Sequence, residues 1–167
     1  IGVTFADDTL PGIDLIYPDP GFIVDKKEDL LGIILTHAHE DHIGAIAHLW
    51  PQLKCKIFAT PFTAVLIKEK LKEKNIDATN YLKIVQLNGT VDLDPFKIEY
   101  ITLTHSILEP NGLRIETPAG VILHTGDWKI DPEPLIGEKI NSDRLKEIGK
   151  EGVLAMVCDS TNVFSMG

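Results

Sequence analysis

Between Leu31 and Trp50 the sequence reads LGIILTHAHEDHIGAIAHLW, with His37, His39, Glu40, Asp41 and His42 crowded into six positions behind an apolar run. Three imidazoles and two carboxylates cannot all be buried without partners. A merely solvated loop would need no apolar strand to deliver it. Metal coordination supplies the missing compensation, because neutral imidazole and carboxylate are ligands that suit Zn²⁺. In extended chain, residues i and i+2 point to the same side, so His37 and His39 can clasp one ion. Asp41 and His42 come where the chain turns into a helix, and they can face a second ion beside the first. Four protein ligands on one ion make a closed, structural site, whereas two ions sharing a ligand leave positions open for reaction. Glu40 points away from these neighbours in extended chain and is expected to face solvent.

Further ligands must come from elsewhere, and only six histidines are present. His105 lies at a strand end in YITLTHSILEPNG, and Asp127 ends a hairpin arm in VILHTGDWKID. Both repeat the context of the first cluster: apolar strand, abrupt polar group, loop. That is where α/β folds gather active sites. His48, on a helix, reads instead as a core imidazole with one hydrogen bond.

The elements that must position these groups can be read from pattern. The opening DDTLPGIDLIYPDPGFIVDKKEDL, rich in Pro and Gly, reads as an irregular, partly extended excursion. Residues 32–36 predict a buried strand, followed by a helix over about 43–50 that stops before Pro51. Residues 56–59 predict a second strand. Thr60 and Pro61 then form an N-cap and first-turn pair for a helix to about Lys74, with Phe62, Val65, Leu66 and Leu71 on its apolar side. Strands follow over 83–87 and 97–103. GLRIETPAGVILHTGD predicts a hairpin turning at Thr117-Pro118-Ala119-Gly120. NSDRLKEIGKEG predicts a short helix, capped by Ser142 or Asn141 and with Gly149 near its end. Residues 153–157 predict a last buried strand. Strands, early βα units and a hairpin together indicate a layered α/β domain.

With 167 residues, 44% hydrophobic and 25% charged, the chain has the size and balance of one globular domain. No stretch approaches the roughly 20 apolar residues of a membrane span. The first residue is Ile1 rather than Met, which leads to the expectation that the start of a longer protein is missing. Cys55 and Cys158 give no disulfide framework, and each sits in a strand-like run that predicts a buried free thiol, in keeping with a cytoplasmic protein. The net charge of −9 argues against a surface that grips nucleic acid unaided.

HxHxDH after a strand, followed by a lone His and an Asp after later strands, resembles the metallo-β-lactamase superfamily. THAHEDHIGA, LTHSI, HTGDWKID and CDSTN, in that order, look like the bacterial ribonuclease J family of its β-CASP group. The resemblance implies an incomplete metallo-β-lactamase αββα sandwich over residues 1–167. The β-CASP domain, the rest of the sandwich and a C-terminal domain are expected to lie outside the chain, together with a late histidine ligand. It also implies that His37, His39 and His105 hold one zinc, Asp41 and His42 a second, and that Asp127 bridges them, with manganese or magnesium as alternatives. Asp41, Asp127 and His105 are the expected catalytic groups, the two aspartates orienting the water that attacks phosphorus. His124 is not a ligand in the family and is expected to pack behind the site. Asp159, Ser160, Thr161 and Asn162 resemble a family signature, with capping of the turn as the competing role. The implied activity is 5′-to-3′ exonuclease and endonuclease cleavage of RNA, in RNA maturation and decay. Its broad basic track would come from domains outside this chain, and the isolated piece is expected to be inactive. A homo-oligomer and an RNA-degradation complex are the implied assemblies. The competing readings are another hydrolase of the same scaffold, acting on thioesters or lactams, and an inert metal-binding fragment.

Overall fold

The computed structural model describes residues 1–161, 163 and 164, and the chain divides into two compact units, 1–85 and 86–167.

The first unit begins with a short antiparallel pair, β1 (Thr4–Phe5) and β2 (Leu15–Ile16), the second of which falls in the stretch expected to be irregular and partly extended. A short helix, α1 (Gly21–Val24), follows. Its centre is a parallel three-stranded sheet in the order β3 (Ile33–Ile34), β4 (Ile57–Ala59), β5 (Leu82–Ile84). The ladders are shorter than the apolar runs, although main-chain bonds continue past them at Leu35 N to Phe58 O and Val85 N to Ala59 O. Between β3 and β4 lie α2 (Glu40–Ile43) and α3 (Ile46–Leu53). The predicted single helix is thus two, and the second runs through Pro51 instead of stopping before it. Pro51 lacks the N–H that would reach back to Ala47. Burial of Trp50 and Leu53 offsets that loss, together with a 2.8 Å bond from the Trp50 indole to the Cys55 carbonyl.

Helix α4 (Pro61–Glu73) starts at Thr60 as predicted, but its buried stripe is Thr63, Ala64, Ile67 and Leu71. Of the four residues assigned to its apolar side only Leu71 is buried; Phe62 and Leu66 are half-buried, and Val65 is 56% exposed. The reason is steric. The buried face carries the small Thr63 and Ala64, which let the start of the helix approach the sheet, followed by Ile67 and Leu71 on the same stripe, while Phe62, Val65 and Leu66 fall to its flanks.

The second unit is a five-stranded sheet in the order β10 (Ala155–Val157), β9 (Gly120–His124), β8 (Asn111–Thr117), β7 (Phe96–Thr102), β6 (Thr90–Leu93). Strands β6 to β9 form an antiparallel meander, and β10 runs parallel to β9. The predicted hairpin turns at Pro118-Ala119, where the Thr117 hydroxyl accepts from the amides of Ala119 and Gly120 and donates to the Gly120 carbonyl. Helix α5 (Ser142–Glu151) is capped by Asn141, whose side chain accepts from the Arg144 amide, and ends at Gly152 in a positive-φ conformation. Ile101, Leu103 and Ile148 form a core beneath it with Leu123, Trp128, Ile140 and Leu145.

Strand β10 corrects the expectation of a buried last strand: Leu154 is 64% and Met156 50% exposed. An apolar run signals burial only if something covers it, and an edge strand has a neighbour on one side alone. Cys158, just after it, is exposed rather than buried, whereas Cys55 is buried and its thiol is pushed upward by that burial. Among the described residues no helix is long and apolar enough to cross a membrane.

Candidate metal centre

In the first unit the chain leaves β3 through the buried Leu35 and Thr36 and delivers His37 fully buried. The Thr36 hydroxyl lies 3.1 Å from His37 Nδ1, the kind of contact that orients a ligating imidazole. His39 keeps extended geometry (φ −68°, ψ 153°) immediately before α2. Its ring stands edge-on to that of His37, with centroids 4.9 Å apart, and their ligand atoms lie within 4.8 Å. The i, i+2 argument therefore holds for this pair. One turn of α2 then sets Asp41 and His42, with His42 Nε2 3.5 Å from Asp41 Oδ2 and the His42 ring 4.0 Å from that of His37. The start of the chain closes against this turn. Val3 N donates to the Glu40 carbonyl, and a side chain at Gly2 would run into the Asp41 main chain.

Glu40 does not simply face water, as the extended-chain argument has it. Its carboxylate is held by Lys70 Nζ at 2.6 and 2.8 Å. Sequence reasoning missed this partner, since nothing local marks a lysine on α4 as a neighbour of the histidine motif. His48 stacks on Tyr17, with ring centroids 5.2 Å apart, in place of the expected buried core role.

In the second unit His105 and Asp127 follow different strands but come together, with His105 Nε2 3.7 Å from Asp127 Oδ2. Their segments are tied behind them: Lys129 N donates to the Thr104 carbonyl at 2.8 Å, and the Thr104 hydroxyl donates to the Lys129 carbonyl at 2.5 Å. His124 Nδ1 accepts from the Gly126 amide at 2.9 Å, which shapes the turn leading to Asp127. Gly126 has a φ of 57°, a conformation that favours glycine. Asp159 accepts from both the hydroxyl and the amide of Thr161, and these bonds hold its carboxyl below the usual range. With Ser160 leaning on the Cys158 carbonyl and Asp159 N donating to Thr125, residues 159–161 cap the turn after β10. Asn162 lies outside the described residues.

The donor chemistry fits a divalent cation. Around a tetrahedral ion with bonds of 2.0–2.1 Å, neighbouring ligand atoms are about 3.3 Å apart. The separations of 3.5 and 3.7 Å within the two units are close to that spacing and longer than good hydrogen bonds.

A family model described as the metallo-beta-lactamase superfamily matches residues 8–148. The chain belongs to this superfamily. Within it, the chain is 44% identical over 166 residues to a protein named Ribonuclease J from Sinorhizobium meliloti, covering 99% of the chain and 29% of that protein. It is 39% identical over 167 residues to a Ribonuclease J from Helicobacter pylori, covering 99% of the chain and 24% of that protein. The chain thus spans 24–29% of the length of these relatives. A crystal structure of a protein of unknown function from Enterococcus faecalis V583 shares the fold, with a TM-score of 0.62 at 16% identity, over 99% of the chain and 44% of that protein. The mixed α/β elements predicted from the sequence agree with membership of this superfamily.

Proposed function

We propose that this chain carries the metal-binding part of a ribonuclease that hydrolyses phosphodiester bonds of RNA. The observation that carries the reading is the pair of ligand groups at strand ends, His37, His39, Asp41 and His42 in one unit and His105 with Asp127 in the other. Their likeness in sequence to proteins named Ribonuclease J extends through both units and supports RNA as the substrate. In this reading residues 1–167 are one part of a metallo-β-lactamase domain, and His37, His39 and His105 share one zinc. Asp41 and His42 would hold a second, with Asp127 available to both; manganese or magnesium are the alternatives.

When bound, such cations supply positive charge to phosphoryl oxygens and make water nucleophilic near neutral pH. The carboxylates of Asp41 and Asp127 accept hydrogen bonds from the attacking water and aim it at phosphorus. His105, beside Asp127, keeps that carboxylate oriented. The chain's own charge is −9, so the track for the RNA backbone belongs to other segments of the protein. By itself the chain does not turn over RNA. Action within the cytoplasm, as a homo-oligomer and in an RNA-degradation complex, completes the reading.

The test offers 5′-monophosphorylated RNA, nitrocefin and S-lactoylglutathione to the zinc-loaded protein that contains this chain. Cleavage of RNA alone, abolished by Asp127→Ala, is the expected result. Intact RNA alongside turnover of either other substrate overturns the assignment.

A further inference from the structure

Glu40 stands between two candidate ligands, His39 and Asp41, in the most ligand-dense turn of the chain, yet its own carboxylate is engaged elsewhere. Both oxygens are taken by Lys70 Nζ, at 2.6 and 2.8 Å, from the last part of α4. The lysine side chain is 23% exposed and the glutamate 50%, so the ammonium end of the pair is the more sheltered. The main chain of Glu40 is held as well: its carbonyl accepts from Val3 N at 3.0 Å and from Gly44 N at 2.8 Å. A Cβ at Gly44 would meet the Glu40 carbonyl and carboxylate at 2.5 and 2.7 Å, so a glycine there lets the turn close on Glu40.

Helix α2 has four residues, far too few to persist by itself, and His39 supplies no side-chain cap. Its position must be imposed from outside. Helix α4, with thirteen residues and a buried stripe against the sheet, is rigid enough to impose it.

We propose that Lys70 and Glu40 are a positioning pair. Through it α4 fixes the orientation of α2, and with it the directions in which His39, Asp41 and His42 present their donor atoms to a divalent cation. This inference rests on the metal-site reading above. Engagement of both Glu40 oxygens has a second effect: the motif's other carboxylate is kept from competing with Asp41 for the ion.

Cobalt(II) titration of the metal-free chain, read by its visible absorption, tests the pair alongside thermal melting of the same samples. Lys70→Ala and Glu40→Gln are expected to weaken cobalt binding about 10- to 100-fold, the usual effect of removing a group that orients a ligand. The melting temperature of the metal-free protein is expected to move by less than about 4 °C, since a part-exposed ion pair contributes little to global stability. Lys70→Arg, whose guanidinium also binds a carboxylate through two bonds, restores the affinity. Unchanged affinity in both weakening variants overturns the inference. So does a loss that appears only together with a collapse of the melt in both of them. If Lys70→Ala alone fails to fold, Glu40→Gln decides. A wild-type chain that takes up no cobalt overturns the metal-site reading, and this inference with it. Uptake that is abolished by His37→Ala but indifferent to residues 40 and 70 overturns the inference alone.

Discussion

The two units deliver candidate metal ligands in opposite ways. The first places four of them on six consecutive residues, His37 and His39 on the loop after a two-residue ladder and Asp41 and His42 within a four-residue helix. The second brings one ligand from each of two separate strand ends, after seven-residue β7 and five-residue β9. A cluster that is local in sequence has almost no regular structure of its own to hold it. Much of its support is accordingly non-local, from Val3 and Lys70. A pair that is distant in sequence comes with its own support, because the ladders that join the strands also set the spacing of their ends. Burial does not separate the two units: His37 is fully enclosed, but His39 and His42 are half-buried and Asp41 exposed, while His105 and Asp127 are half-buried.

The contrast can be broken most directly at the metal. Sharing apparent zinc-site free energies of about 10–16 kcal/mol among four ligands gives roughly 3 kcal/mol, or about 10²-fold in affinity, for each ligand. His37→Ala and His105→Ala are therefore each expected to weaken zinc binding about 10²-fold in a competition titration. A full loss from the first with no effect from the second would leave the first unit as the sole site. Stability gives the next largest effect. Ile57→Ala, in the enclosed β4, is expected to cost about 2–5 kcal/mol by chemical denaturation, and Met156→Ala on the exposed β10 less than about 1 kcal/mol. Equal costs would mean that β10 is as well packed as β4. Asn141→Ala removes the side chain that accepts from Arg144 N at the start of α5. It is expected to cost about 1 kcal/mol and to leave metal affinity unchanged.

The smallest effect belongs to Glu151, which is bonded by Arg144 and Arg114, and these bonds hold its carboxyl below the ordinary value of 4.5. A carboxyl that titrates lower when folded stabilises fully above its ordinary value, and the contribution fades as pH falls through the lowered one. Glu151→Gln is expected to narrow the stability difference between neutral and acid pH slightly. A variant with an unchanged acid limb would show that this exposed network contributes nothing measurable.

Much of the candidate site's make-up was legible in the residues themselves, as groups that could hold a cation. The ligand types, the i, i+2 placement of His37 and His39 and the strand-end setting of His105 and Asp127 follow from covalent geometry and from what buried imidazoles require. The βα units and the Pro118-Ala119 hairpin were equally readable, because their signals lie within a few residues of the structure they produce. The misreadings have a common cause. The buried stripe of α4, the passage of α3 through Pro51 and the exposure of β10 each depend on what packs alongside, and no local pattern encodes a neighbour.

The sequence by itself determined which atoms could bind a cation and in what order the elements carry them, since residue chemistry and backbone periodicity act over a few bonds. Only the tertiary structure decided that Glu40 is held by Lys70, that His124 shapes the turn before Asp127 and that residues 159–161 cap the end of β10. The Glu40–Lys70 pair and the bond from Asp159 N to Thr125 are contacts across the fold, where desolvation and close packing select among partners that the linear chain leaves equivalent. The bonds of His124 to Gly126 and of Asp159 to Thr161 are short-range and depend on the backbone conformation that the fold imposes.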